Sequence, residues 1–149
     1  MKAVVQRVTT AQVQVAGKTI AQIGQGLLVL IGIATGDTER DGEKLAQKIV
    51  ELRIFADADN KFNLSLKQIG GEILLIPQFT LFAEVKGQNR PFFGKAAKPE
   101  KAQSLFNYFI NSLLKLGIKK VASGKFGAYM QVELINNGPV TIILDTNEF

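Results

Sequence analysis

The run Leu27-Leu28-Val29-Leu30-Ile31-Gly32-Ile33-Ala34, entered through Gly24-Gln25-Gly26, constrains this chain more than any other segment. A bilayer span takes roughly 20 apolar residues, so the run is too short to cross one; it has the length of a strand whose two faces are both apolar. Such a strand lies inside a sheet that is covered on both sides. The rest of the chain must then supply neighbouring strands and apolar cover.

It does so in order. Strands are predicted over Lys2–Thr10, Gln12–Val15 and Lys18–Ile23, the last two joined through Ala16-Gly17 as a short hairpin. Gly36-Asp37-Thr38 opens a helix with Thr38 as N-cap, Asp41 in its first turn and Leu45, Ile49 and Leu52 as its apolar stripe. Arg53–Ala56 reads as a strand and Asp57-Ala58-Asp59-Asn60-Lys61 as the turn after it. That acid pair is part of a calcium-loop pattern, but the glycine and the closing glutamate are missing, and no metal ligand set is predicted. Glu72–Phe82 reads as a strand interrupted by Pro77, which marks an edge, a bulge or the strand's end. Pro99 begins a second helix that runs to Leu116 and stops at Gly117. Its face of Leu105, Phe106, Phe109, Ile110, Leu113 and Leu114 has the spacing of side chains that pack on a sheet. Strands return at Lys119–Ala122, Tyr129–Ile135 and Val140–Asp145, the last two joined through Asn136-Asn137-Gly138-Pro139. The expected architecture is one α+β domain over residues 1–149, a mostly antiparallel sheet with two main helices.

Composition narrows the chemistry. The chain has no histidine and no cysteine. A Ser-His-Asp triad, a thiolate nucleophile and zinc sites built on imidazole or thiolate are therefore all excluded. Hydrolysis by such a chain must use Thr, Ser, Lys, carboxylates, backbone dipoles or the substrate itself. The absence of cysteine agrees with a cytoplasmic location, and the early polar residues Lys2, Gln6 and Arg7 do not make a signal peptide. The net charge of +5 and pI near 9.5 suit either a polyanion such as RNA or a solvated basic surface. No cofactor motif is present: Gly24-Gln25-Gly26 precedes a strand instead of following one, and no phosphate-binding Gly-rich loop occurs.

Two segments remain as candidates for chemistry, with a basic loop between them. In Pro77-Gln78-Phe79-Thr80-Leu81, an extended backbone would put the Gln78 amide and the Thr80 hydroxyl on one side, either to polarise an ester or merely to face water. Asn136-Asn137-Gly138-Pro139-Val140-Thr141 is ordinarily a turn, yet a Gly-Pro bond takes the cis form at modest cost and then redirects the neighbouring carbonyls. The loop over residues 84–98 is both basic and aromatic, with Lys86, Arg90, Lys95, Lys98 and Phe92-Phe93. If those cations contact phosphates, binding weakens steeply with salt.

In order along the chain, the Pro77–Leu81 and Asn136–Thr141 segments resemble the D-aminoacyl-tRNA deacylase family. Asn136–Thr141 resembles its Asn-x-Gly-Pro-Val-Thr signature, and Pro77–Leu81 resembles its Ser-Gln-Phe-Thr-Leu signature. The likeness extends over Val4-Val5-Gln6-Arg7-Val8, Asn63-Leu64-Ser65-Leu66 and Phe126-Gly127-Ala128-Tyr129-Met130. The resemblance implies a barrel-like sheet, a homodimer with its active sites at the subunit interface, and the 3′ end of an aminoacyl-tRNA as substrate, with no cofactor. It implies hydrolysis of D-aminoacyl and mischarged glycyl esters. A cis Gly138-Pro139 peptide would enter the partner's site and exclude L side chains from the α-carbon. Arg7, Asn136, Val140 and Thr141 would support that loop, and Phe126, Gly127, Ala128 and Met130 would line the adenosine pocket, although Phe126 and Met130 suit a core equally well.

For catalysis the resemblance points to Gln78, Phe79 and Thr80. Thr80 as nucleophile would need a base that this chain lacks. The family alternative is water activated with help from the 2′-hydroxyl of the terminal adenosine, with backbone amides near Gln78 and Phe79 holding the oxyanion. Pro77 replaces the serine that usually heads the first signature, so neither a hydroxyl nor an N–H is available there. Two rival readings stay open: an RNA-binding module without catalysis, and a related deacylase with a trans Gly-Pro bond that accepts L-amino acids.

Overall fold

The computed structural model describes residues 1–149. β1 (Lys2–Val15) turns through Ala16 and Gly17, both at positive φ, into β2 (Lys18–Ile23), as a two-residue hairpin requires. β3 (Gly26–Gly32) returns along the first half of β1, with Lys2 opposite Gly32 and Val8 opposite Gly26. α1 (Glu39–Glu51) follows, started by Thr38, whose N–H and hydroxyl both donate to Asp41 at 2.9 and 2.7 Å. A small hairpin, β4 (Phe55–Ala56) and β5 (Phe62–Leu64), precedes β6 (Glu72–Pro77). The chain then makes a 3-10 turn (Phe79–Phe82), a long loop, α2 (Pro99–Lys115), β7 (Val121–Ser123) and β8 (Gln131–Asp145).

Antiparallel pairs predominate, all of those made by β1 among them, but the sheet is mixed and carries parallel pairs that the expectation did not include. Its order is β2-β1-β3-β6-β7, with β8 on the other edge of β1; β3, β6 and β7 run parallel to one another. The cause lies in the helices, since each carries the chain back to the end of the sheet at which the previous strand began. Because β3 and β6 are covered on both faces, their side chains divide between two cores. Leu27, Val29, Ile31, Ile73 and Leu75 pack under Leu45 and Ile49 of α1 and Leu105, Phe106, Phe109 and Leu113 of α2. Leu28, Leu74 and Ile76 face the opposite way and meet Val8, Ala11, Val13 and Ile23. That second core forms because the sheet curls until β2 approaches β6 and β7, nearly closing a barrel.

Two further expectations are corrected. The strand predicted over Glu72–Phe82 ends at Pro77, the last residue in register with β3; the Gln78 N–H still reaches Ile31 O, and the chain then turns away. Residues 136–139 do not reverse the chain. Both halves of β8 pair with β1 in the same direction, Gln131–Ile135 against Gln14–Thr10 and Thr141–Asp145 against Gln6–Lys2. Between Asn136 and Thr141, five steps of β8 stand against two of β1, so the segment is a wide bulge. Gly138 at φ 142° and Pro139 lead the backbone outward, while the Asn136 side chain closes the base of the bulge. Its Oδ1 accepts from the Val140 N–H at 2.8 Å, and its Nδ2 donates to Thr141 Oγ1 at 3.1 Å.

The ends of the chain meet beneath the sheet. The Met1 ammonium, fully buried, donates to Asp37 Oδ1 at 2.8 Å and Thr146 Oγ1 at 2.6 Å, and Asp37 also accepts from the Ala34 N–H at 2.6 Å. No helix is long and apolar enough to cross a membrane.

Candidate active site

Parallel strands bring their carboxyl ends to one edge, and in open sheets such an edge is where ligands bind. Here β3, β6 and β7 end together, and the Gln78–Thr80 segment and residues 124–130 both leave from that edge. The Gln78 N–H donates to Ile31 O at 2.8 Å, which places the 3-10 turn directly against β3. Gly32 permits the approach: a Cβ there would stand 3.0–3.1 Å from Phe82 Cε2, Gln78 O and Leu81 Cβ.

Within the turn, Gln78 Nε2 donates to Thr80 Oγ1. Amide and hydroxyl are thus adjacent as expected, but through a tight turn and not along a strand face. The Leu81 N–H is taken by Gln78 O and the Ala83 N–H by Thr80 O. As the first residues of the 3-10 turn, Phe79 and Thr80 find no acceptor for their N–H groups within it; no side chain or loop bond takes either, and both residues are exposed. Two adjacent unpartnered donors at the start of a helical turn form a binding position for an oxyanion.

The Phe79 ring rests edge-on against Phe93, with centroids 4.9 Å apart. Phe93 belongs to the basic loop, which is fastened to the same edge by hydrogen bonds from Ala97 N to Ile33 O and from Thr35 N to Lys95 O. Nothing in the sequence signals this, because the partners are backbone groups sixty or more residues apart. On the other flank, the Gly124 N–H binds Leu75 O at 2.9 Å, and Gly124 leaves room for the Met130 sulfur. Phe126 is half-buried against Phe106 and the larger core, Met130 is half-buried against the smaller one, and Gly127 and Ala128 form the turn between them. Phe126 and Met130 therefore serve the packing while also standing at the site's edge.

Gly138 and Pro139 are exposed at the tip of the bulge, and their peptide bond is cis. Arg7 Nε donates to Asn137 O at 2.9 Å and its Nη1 to Ile54 O, with the guanidinium 5.1 Å from the Phe62 ring centroid. Arg7 thus braces the bulge, and Ile54 and Phe62 are partners that sequence reasoning missed. The bulge does not meet the catalytic end of its own chain. Arg7 lies opposite Leu27 and the Gln78 N–H binds Ile31, about 13 Å further along β3, with β1 and β3 between the two segments. No hydrogen bond connects them.

The groups with displaced protonation lie elsewhere: the Asp41, Asp57 and Glu72 carboxyls are pulled down by hydrogen bonds, and Tyr108 is pushed up to about 12 by its bond to Glu43. No cluster of three or more carboxylates is placed to hold a metal ion.

Comparison with known proteins places the chain in a family. The family profile described as D-Tyr-tRNA(Tyr) deacylase matches residues 4–145. A D-aminoacyl-tRNA deacylase of Dehalococcoides mccartyi is 54% identical, covering 99% of this chain and 96% of its own. One of Roseiflexus castenholzii is 52% identical over 100% of this chain and 94% of its own. The solved structure of a c-Myc DNA Unwinding Element Binding Protein superposes with a TM-score of 0.92 at 46% identity, covering 97% of this chain and 98% of that one. A match over nearly the full length makes this chain a member of the D-Tyr-tRNA(Tyr) deacylase family.

Proposed function

We propose that this protein removes D-amino acids and mischarged glycine from tRNA by hydrolysing the ester to the terminal adenosine, working in the cytoplasm as a homodimer. That it is a hydrolase of aminoacyl-tRNA follows from its family. The observation that carries the mechanism is the pair of free N–H groups at Phe79 and Thr80, beside a side-chain amide and hydroxyl, in a chain without histidine. Water attacks the ester carbon, the carbonyl oxygen gains negative charge between those two N–H groups, and the ester C–O bond breaks. The departing ribose oxygen takes a proton, which the neighbouring ribose hydroxyl relays from the attacking water. Thr80 is not activated as a nucleophile, because its only side-chain partner is the Gln78 amide, which is no base in either orientation.

The homodimer reading rests on the distance between the two signatures within one chain. A bulge that is exposed, braced by Arg7 and Asn136, and remote from its own Gln78 is suited to enter the site of a second copy. There Gly138 and Pro139 would crowd the α-carbon and turn away L side chains, leaving D-aminoacyl and glycyl esters to react.

Hydrolysis of matched D-tyrosyl-, L-tyrosyl- and glycyl-tRNA tests the reading. Loss of the D and glycyl esters with the L ester spared is expected. Equal loss of all three would favour the deacylase with relaxed chirality; tight tRNA binding without turnover would favour the nucleic-acid-binding module. Thr80→Ala is expected to keep substantial turnover, and complete loss in a folded variant would restore Thr80 as nucleophile.

A further inference from the structure

Beside the site lies a cleft of about 610 Å³ between the basic loop and the carboxyl-terminal tail. Phe82 forms part of its wall, and the same 3-10 turn carries Thr80; at about 2 Å of rise per residue the two places are only a few ångströms apart along the turn. One rim carries Lys2, whose ammonium stands 5.6 Å from the Phe82 ring centroid and 3.7 Å from Asp145. The other carries Lys95, 3.1 Å from Glu84. The side chains of both lysines reach solvent, at 41% and 72% of their surface, and an ammonium engaged with one carboxylate keeps donors for another anion. Asp145 is occupied further, since Asn147 donates to it through both its backbone and its side chain.

A second observation specifies the anion. Phe92 of the basic loop is 59% exposed. Its ring is laid over Gly94, a lining residue of the cleft, where any Cβ would collide with it. The Phe92 backbone exchanges both hydrogen bonds with Glu84, at 2.8 and 3.0 Å, which fixes the main chain from which the ring projects beside the cleft. Free phosphate has no use for an aromatic face. Phosphates that alternate with planar bases do, and cations interleaved with an exposed aromatic are how proteins hold a single strand.

We propose that this cleft receives the single-stranded nucleotides that precede the terminal adenosine, with Lys2 and Lys95 on the phosphodiesters and a base stacked on Phe92. The proposal rests on the tRNA substrate named above and adds the path by which that substrate enters. Glu84 and Asp145 tune it: by engaging the lysines they moderate affinity, so that product tRNA is released.

The test compares D-tyrosyl-tRNA with D-tyrosyl-adenosine, the same ester without a phosphate. Lys95→Gln is expected to raise KM for the tRNA about tenfold, with a much smaller effect on the adenosine ester, and to make the log–log salt slope shallower by about 0.7. Phe92→Leu is expected to raise KM for tRNA about fivefold or more. Glu84→Gln, which releases Lys95, is expected to lower it, a gain that misfolding does not produce. A short RNA ending in CCA should compete with the tRNA at concentrations where inorganic phosphate does not. Equal losses on both substrates, no change with Lys95→Gln, or equal competition by phosphate would each overturn the cleft assignment. A parent protein that hydrolyses neither ester would instead overturn the deacylase reading beneath it.

Discussion

Asp37 is the residue on which the amino end of the chain rests. It meets a buried ammonium, and removing one partner of a buried pair leaves the other charge unsolvated, which costs about 3–5 kcal/mol. Asp37→Ala should lower stability by that amount in urea unfolding; a loss under about 1 kcal/mol, the worth of an exposed pair, would show that the ammonium finds another partner or water. At this scale the candidate site was legible where chemistry is local. Gln78 and Thr80 sit two apart in sequence and do touch, and the absence of histidine excluded a triad at once. The brace on Arg7 was not legible in the same way, because its partners are the carbonyls of Ile54 and Asn137, and any residue supplies a carbonyl. The N–H groups near Phe79 were expected only through the resemblance and not from the residues themselves, because they are freed where β6 gives way to a 3-10 turn.

Among the elements, three carboxylates fix local geometry. Asp41 starts α1 through Thr38, Asp57 gathers the N–H groups of Lys61 and Asp59 with the Asn63 amide, and Glu72 ties Lys120 and the Gly24 N–H to the start of β6. Hydrogen bonds to the charged form make each more acidic folded than unfolded. Their contribution is therefore complete above the ordinary values of 3.8 and 4.5, and it is lost as pH falls through the lower folded values. Urea midpoints should stay level from pH 7 to about 5 and fall below about 4. A decline already under way at pH 6 would contradict this assignment. Tyr108 has the opposite sign: its hydroxyl donates to Glu43 across the two helices, and that link is lost as pH rises from 10 toward about 12. Both helices, the first hairpin and the central strand were legible because each has a local pattern, such as the Thr38–Asp41 start or the Pro99 entry. The bulge in β8 was read as a turn because Asn-Gly-Pro chemistry is the same in both; the difference lies in whether β1 continues alongside, which no local pattern records.

For the whole molecule, the sequence showed a strand covered on both faces but not its direction relative to its neighbours. Parallel pairing of β3 with β6 is set by where α1 returns the chain, a property of the connection and not of either strand. The dimer belongs to this scale too. If each bulge completes the partner's site, light scattering should give twice the chain mass of 16.3 kDa, and activity per chain should fall on dilution as dimers separate. A fully active, chirally selective monomer would refute the shared site.

The ladder between β1 and β8 has a consequence in the order of synthesis. Lys2 pairs with Asp145, so the strand that leaves the ribosome first receives its outer neighbour last. At about 5–20 residues per second, β1 waits on the order of ten seconds while β2 and β3 occupy only its other edge. During that interval an open strand edge is presented to every other nascent chain nearby, and open edges are where chains join wrongly. The speed of decoding over the final stretch of the message, which changes no amino acid, therefore bears on how much of this protein reaches its folded form.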